Sequence, residues 1–160
     1  MSVLAARFVE NFERTFGYPP GENVVHMVSP EESNDAARRL TDLRVRPELQ
    51  RFYSIIRDIS LPDVENGFFI HPAEQVVDGI RGVQPTRVAG AIKDEIVVFG
   101  SDGGGALFAL NGAGDKIYRL TGGALVGAEY DVEESGVEII TYEFWGFLDY
   151  LRDKLLEAMP

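Results

Sequence analysis

The sequence predicts an α+β fold, a mainly antiparallel sheet with N-terminal helices and a C-terminal helix packed on it. Three observations predict it. Apolar residues from Leu4 to Ile56 recur at helical spacing between helix start and stop signals. From Glu95 to Ile140, short apolar runs are separated by turns, and nine of the seventeen glycines fall between Gly100 and Gly127, which places the tight connections there. After Thr141 the spacing returns to helical. Helices do not alternate with the strands, which argues against a doubly wound parallel sheet.

Leu4, Phe8, Phe12 and Phe16 recur every fourth residue with Val9 alongside, one apolar stripe on a helix. Gly17 stands where a C-cap belongs, and Pro19-Pro20 prevents continuation. Ser29-Pro30-Glu31-Glu32 reads as a helix start: Ser29 caps, Pro30 fits the first helical position, and Glu32 completes a capping box. Ala36, Ala37, Leu40 and Leu43 supply that helix's inward face. Pro47 ends this run or opens the next helix, where Leu49, Phe52, Tyr53 and Ile56 continue at helical spacing until Pro62 closes the helical part.

Gly67-Phe68-Phe69-Ile70 reads as a short strand after a turn, Pro72 to Asp78 as a short helix with Pro72 at its first position, and Gly82 to Gly90 as a loop. A β-meander follows, with strands at about 95–99, 105–110 and 115–120, bent at Gly100-Ser101-Asp102-Gly103-Gly104-Gly105 and at Asn111-Gly112-Ala113-Gly114-Asp115. Leu125-Val126 and Gly136 to Ile140 are further strand candidates. Thr141 then caps a last helix with Phe144, Phe147, Leu148, Leu151 and Leu155 on one side.

A chain of 160 residues is expected to form one domain with one substantial core. Cysteine is absent, which excludes disulfides, thiol catalysis and Cys-ligated zinc and fits a reducing compartment. The N-terminus carries neither a positive leader nor an apolar signal core. No run approaches the roughly 20 apolar residues of a spanning helix. A cytoplasmic protein is expected. The net charge of -11 repels nucleic acid and anionic membranes and steers cationic partners. Against that background, residues 38–57 hold Arg38, Arg39, Arg44, Arg46, Arg51 and Arg57, opposed only by Asp42 and Glu48. They read as a solvated helix face that pairs with the acidic remainder.

No catalytic set stands out. The Gly100–Gly105 turn is not a phosphate loop: no Gly-Lys-Ser/Thr follows, an apolar strand rather than a helix comes next, and Asp102 would repel an anion. Asn111 to Asp115 lacks the alternating ligands and trailing Glu of a calcium loop. His26 and His71, the only histidines, have no neighbouring carboxylate at metal-ligand spacing, and no serine sits in a nucleophile elbow. The expectation is no enzyme, no catalytic residue, no metal and no cofactor.

Acidic density remains. Residues 129–157 hold nine acidic residues against Arg152 and Lys154, and Glu129, Asp131, Glu133 and Glu134 cluster just before the last strand. A surface of that kind complements a basic protein and raises association rate and specificity. Tight binding also needs buried anchors, usually aromatic. Tyr118 and Tyr130 are the candidates placed with the acidic cluster, with Tyr142 and Trp145 as further ones; Trp145 is expected to pack in or over the core. The predicted partner-binding set is therefore Glu129, Asp131, Glu133, Glu134, Tyr118 and Tyr130.

The strand, glycine turn and strand of Ile96–Gly105 and Phe108-Ala109-Leu110, with Gly114-Asp115-Lys116-Ile117-Tyr118, resemble the SUKH superfamily of bacterial toxin-immunity proteins and a yeast cell-wall signalling regulator. Asn66-Gly67-Phe68 resembles its Asn-Gly-Gly block, with Phe68 replacing the second Gly. Arg46-Pro47-Glu48-Leu49 resembles its Leu-Pro-initiated helix, with Arg46 replacing Leu. The resemblance implies a single domain over residues 1–160, with 1–44 as a helical extension and 45–160 as the core. It also implies a non-enzymatic protein-binding role, the neutralisation of a cognate toxin such as a nuclease. A regulatory domain binding a small ligand or nucleotide at the Gly-rich turn, and a structural homo-oligomer subunit, are the alternatives.

Overall fold

The computed structural model describes residues 1–159, apart from the side chains of residues 32–34, 36 and 37. The chain opens with α1 (Ser2–Glu10) and α2 (Phe12–Phe16), then β1 (Val24–Met27), α3 (Pro30–Asp42), α4 (Pro47–Tyr53), β2 (Ile56–Leu61), β3 (Phe68–Ile70) and α5 (Ala73–Asp78). A π-type turn, Gly79–Val83, leads into β4 (Arg87–Gly90). There follow β5 (Asp94–Asp102), β6 (Leu107–Asn111), β7 (Ile117–Leu120), β8 (Ala124–Val126), β9 (Glu129–Val132), β10 (Val137–Thr141) and α6 (Phe144–Glu157).

The ten strands form one branched sheet. Its main limb runs β1-β2-β3-β5-β6-β7-β10, every neighbour antiparallel. The smaller limb, β8-β9-β4, leaves from the start of β5, where Arg87 pairs with Glu95 and Val88 with Asp94. Here β4 and β9 run parallel, the exception in an otherwise antiparallel sheet. This is the α+β class read from the sequence.

The near-continuous apolar run Ile96-Val97-Val98-Phe99 has a physical cause in this branching. Both faces of β5 are covered, so both sets of alternating side chains must be apolar. Phe99 points into a core shared with the helices, beside Phe8, Phe52, Phe144 and Phe147. Ile96 and Val98 point the other way, into a second core with Val88, Tyr118, Leu120, Tyr130 and Val132 under the small limb.

The helical punctuation holds in part. Gly17 caps α2 in the left-handed region (φ 80), its N–H donating to Glu13 O, but the expected single N-terminal helix breaks at Asn11 (φ -115, ψ 2). Pro30 opens α3 as expected; the capping role of Glu32 and the inward role of Ala36 and Ala37 fall on side chains outside the described residues. The expected 1–44 extension contributes Ala5, Phe8, Phe12, Val25 and Leu40 to the same core as residues 45–160.

Three segments differ from expectation. Helical spacing was expected to run to Pro62, but α4 stops at Tyr53 and Ile56–Leu61 is strand β2, with Ile59 and Leu61 inward and Ser60 between them. The β-branched pair Ile55-Ile56 favours that switch. Gly82–Gly90 was read as loop, yet Arg87–Gly90 is β4, a strand with a single buried residue, Val88, and so no alternation to read. Thr141 was placed at the last helix's cap. That position belongs to Glu143, and Thr141 Oγ1 instead bonds both the N–H and the carbonyl of Glu143.

Candidate functional site

The small limb carries the acidic cluster. In β9 the alternation puts Tyr130 and Val132 inward and leaves Asp131 exposed, while Glu133 and Glu134 stay exposed in the turn that follows. Asp131, Glu133 and Glu134 line a shallow concavity with Gly90, Gly122 and Ala124. The fourth predicted carboxylate, Glu129, faces Arg87 at 3.4 Å and so spends its charge within the limb. From Leu120 to Leu151 the chain holds seven acidic residues and no basic one.

Beside the carboxylates lies β8. Among the described residues it pairs only with β9, through Ala124↔Asp131, Leu125↔Tyr130 and Val126↔Glu129. All of Ala124–Val126 is exposed, with Leu125 59% and Val126 62% accessible. Two apolar side chains on an edge strand, flanked by acids, form a surface able to accept a further strand or an apolar, basic partner. Sequence reasoning placed a strand here and missed that it is uncovered; the absence of any polar residue to alternate with Ala124-Leu125-Val126 was the available signal.

The two aromatic anchors expected at this surface lie inside the molecule. Tyr118 is 4% and Tyr130 9% exposed. The Tyr118 hydroxyl donates to Asp94 Oδ2 at 3.0 Å, and burial with that carboxylate pushes its pKa up to about 12. The Tyr130 hydroxyl accepts from Gly123 N–H at 3.0 Å. Both rings bring apolar area to the second core with their polar tips satisfied, which removes them as docking anchors. Of the aromatics named as anchors, Tyr142 and Trp145 are left outside, at the far end of β10. Tyr142 is 70% exposed, and Trp145 lies edge-on to Phe144 with the Arg51 guanidinium 5.9 Å from its ring centre.

The Gly-rich turn is occupied by its own acid. Asp102 is buried, accepts from Gly104 N–H (2.9 Å) and Ala106 N–H (2.8 Å), and pairs with Arg119 Nη2 at 2.6 Å. Burial opposes its ionisation, but the Arg119 guanidinium and the two N–H donors outweigh it and hold the carboxyl below its usual range. Gly103 N–H donates to Asn66 O at 2.9 Å, and a Cβ on Gly103 would collide with that oxygen. So the two glycine segments of the sequence meet in space. The amides that a phosphate would need are spent on Asp102 and Asn66.

The histidines sit in separate pairs. His26 Nδ1 lies 2.6 Å from Asp58 Oδ1 across β1 and β2. Burial raises the Asp58 pKa, and hydrogen bonds from His26 and Arg57 more than reverse this. His71 Nε2 lies 3.0 Å from Ser101 Oγ, and burial pushes the His71 imidazole below its usual pKa. The Tyr53 hydroxyl, its pKa raised by burial, donates to the His71 carbonyl at 2.6 Å. A neutral imidazole beside a hydroxyl suits a hydrogen bond; among the described residues no acid bonds its other nitrogen as a catalytic triad requires. Among the described residues no cluster of three His, Cys, Asp or Glu side chains is arranged to hold a metal ion, and no helix is long and apolar enough to cross a membrane.

No family model matches the chain, and no curated protein matches it either.

Proposed function

We propose that this chain is a non-enzymatic, cytoplasmic protein-binding domain of the immunity type, resembling the SUKH superfamily, that neutralises a cognate toxin through a basic domain such as a nuclease. The observation that carries the reading is the small limb: an uncovered apolar edge strand, β8, beside Asp131, Glu133 and Glu134, in a stretch without a cation. Long-range attraction from the net charge of -11 would steer a cationic partner, and the uncovered β8 edge, with Leu125 and Val126 exposed on its two faces, would supply the apolar contact that affinity requires. Lysines or arginines of the partner would supply counter-charges to Asp131, Glu133 and Glu134.

The test is retention of basic toxin domains on the purified, immobilised chain over a salt series. Expected is binding that weakens with salt and is lost in Asp131→Lys/Glu133→Lys/Glu134→Lys and in Leu125→Asp. Failure to retain any protein partner at any salt concentration refutes the reading.

A further inference from the structure

One groove in this acidic molecule is cationic. It opens where β5 begins and β6 ends, beside the link between α3 and α4, and encloses about 500 Å³. Arg44, Arg46 and Arg87 line it against one carboxylate, Glu95, with Ile80 and Val97 contributing apolar surface. Two of the arginines are held in place. Arg46 donates from Nε (3.0 Å) and Nη2 (2.6 Å) to the Gly112 carbonyl, and Arg87 faces Glu129.

Arg44 is different. Its side chain has no hydrogen bond or ion pair with any described residue. Its backbone is also in the left-handed region, at φ 55. The reason is the way α3 ends: Arg44 N–H returns to Thr41 O (2.9 Å) and Val45 N–H to Leu40 O (3.0 Å), with Leu40 and Val45 both buried. This is the Schellman closure, whose left-handed position ordinarily takes glycine. A Cβ is strained there. An arginine in a glycine position, lining a cavity and unpaired among the described residues, is a local conflict that the fold itself does not require.

We propose that this groove binds a small organic phosphate monoester, its dianionic head held by Arg44 with Arg46 and Arg87 and its apolar body against Ile80 and Val97. Guanidinium forks match phosphate oxygens in geometry as well as charge. With Glu129 beside Arg87 counted, three arginines stand against two carboxylates, a surplus of one positive charge that a phosphate monoester would neutralise. The site is separate from the acidic limb and does not depend on the protein-docking reading.

The experiment is calorimetric titration of the full chain at pH 7.5 with phenyl phosphate, and with inorganic phosphate in parallel. Phenyl phosphate is expected to bind, and inorganic phosphate to bind at least tenfold more weakly. Arg44→Gly is expected to weaken phenyl phosphate at least tenfold while its melting temperature equals or exceeds the parent's, because glycine suits the left-handed position. Arg44→Gln keeps a side chain of similar reach without the charge and is expected to lose binding equally. Arg152→Gln, on α6, is expected to change nothing. The proposal is overturned if phenyl phosphate does not bind the parent chain, if either Arg44 variant binds it as the parent does, or if inorganic phosphate binds as tightly.

Discussion

The two faces of the main sheet are buried by different means. On the helical face, aromatic rings from distant parts of the sequence interlock: Phe52 on Phe144 and Phe144 on Phe99 (both 5.4 Å between centres) and Phe99 on Phe147 (5.2 Å) edge to face, then Phe147 on Phe108 (5.2 Å) tilted. On the other face, a smaller core of aliphatic residues and two hydroxyl-tethered tyrosines lies under the β8-β9-β4 limb. Rings that each touch two elements tie the helical face into one cooperative unit. The limb joins the main sheet through two β4–β5 residue pairs, Arg87↔Glu95 and Val88↔Asp94, and a bond from Ile96 N–H to Thr86 O just before β4. It should therefore open at a lower free energy than the rest.

The largest expected effect breaks the helical face. Phe147→Ala removes a fully buried ring with two aromatic neighbours on the strands and should cost about 3–5 kcal/mol. Urea unfolding would show it as a lower midpoint at unchanged slope. A loss below 1 kcal/mol would mean that the rings are not a single packed unit.

Asp102→Ala comes next, at about 3 kcal/mol, because it strands the partly buried Arg119 and releases two N–H donors of the turn. Arg119→Met with Asp102→Leu should recover part of that loss, since the pair is then replaced rather than broken.

Val132→Ala tests the comparison directly. It removes two methyl groups from the second core, worth about 1–3 kcal/mol. Native-state hydrogen exchange should show faster opening at the amides of β8 and β9, with those of β5 and β6 changed much less. Uniform acceleration across all four strands would show that the limb and the main sheet unfold together.

How much of this was legible in the sequence follows from the same contrast. The helical face was readable because Phe144, Phe147, Leu151 and Leu155 repeat at helical spacing, and because β5 to β7 are apolar runs closed by glycines. The limb was half legible: Leu125-Val126 signalled a strand, but Arg87–Gly90 and Glu129–Val132 bury too few residues to show a period. Tyr118 and Tyr130 look like surface anchors because each stands next to charge. Only the packing between the limb and the main sheet, which sets both rings among Val88, Leu120 and Val132, shows that they are buried. The acids Asp131, Glu133 and Glu134 were found because exposure needs no partner to be read. The Arg44 groove was hidden because its cavity is made by the α3–α4 link, the π-type turn and three strands, all distant in sequence. The arginines of residues 38–57 were expected to form a helix face paired with the acidic remainder; Arg39 pairs with Asp35, and Arg57, on β2, with Asp58, whereas Arg46 bonds the Gly112 carbonyl and Arg51 lies over Trp145.

Acid separates the buried groups by window. Burial depresses the His71 pKa below 6.5, so the unfolded chain takes up that proton first; its contribution is present above about pH 6.5 and is lost as pH falls below it. Asp58 and Asp102, whose pKa values are lowered from 3.8, contribute stability above that value and lose it as pH falls further. The melting-temperature difference between the parent and His71→Gln should therefore change as pH falls from 7.5 through 6.5. A difference that is flat across pH 7.5 to 5 would show that His71 titrates in the folded protein as it does unfolded.

The smallest stability effect belongs to the exposed acids. Asp131→Asn, Glu133→Gln and Glu134→Gln touch no buried group, so each should move stability by less than about 0.5 kcal/mol. Removing three like charges from one concavity relieves repulsion and should shift the melting temperature slightly upward, an increment that disappears in high salt. The same triple variant should slow association with a basic partner severalfold at low ionic strength while leaving dissociation nearly unchanged, because exposed charges act on encounter and not on the packed contact. If instead dissociation alone accelerates, the carboxylates sit in the desolvated centre of the interface, and Leu125 and Val126 at its rim.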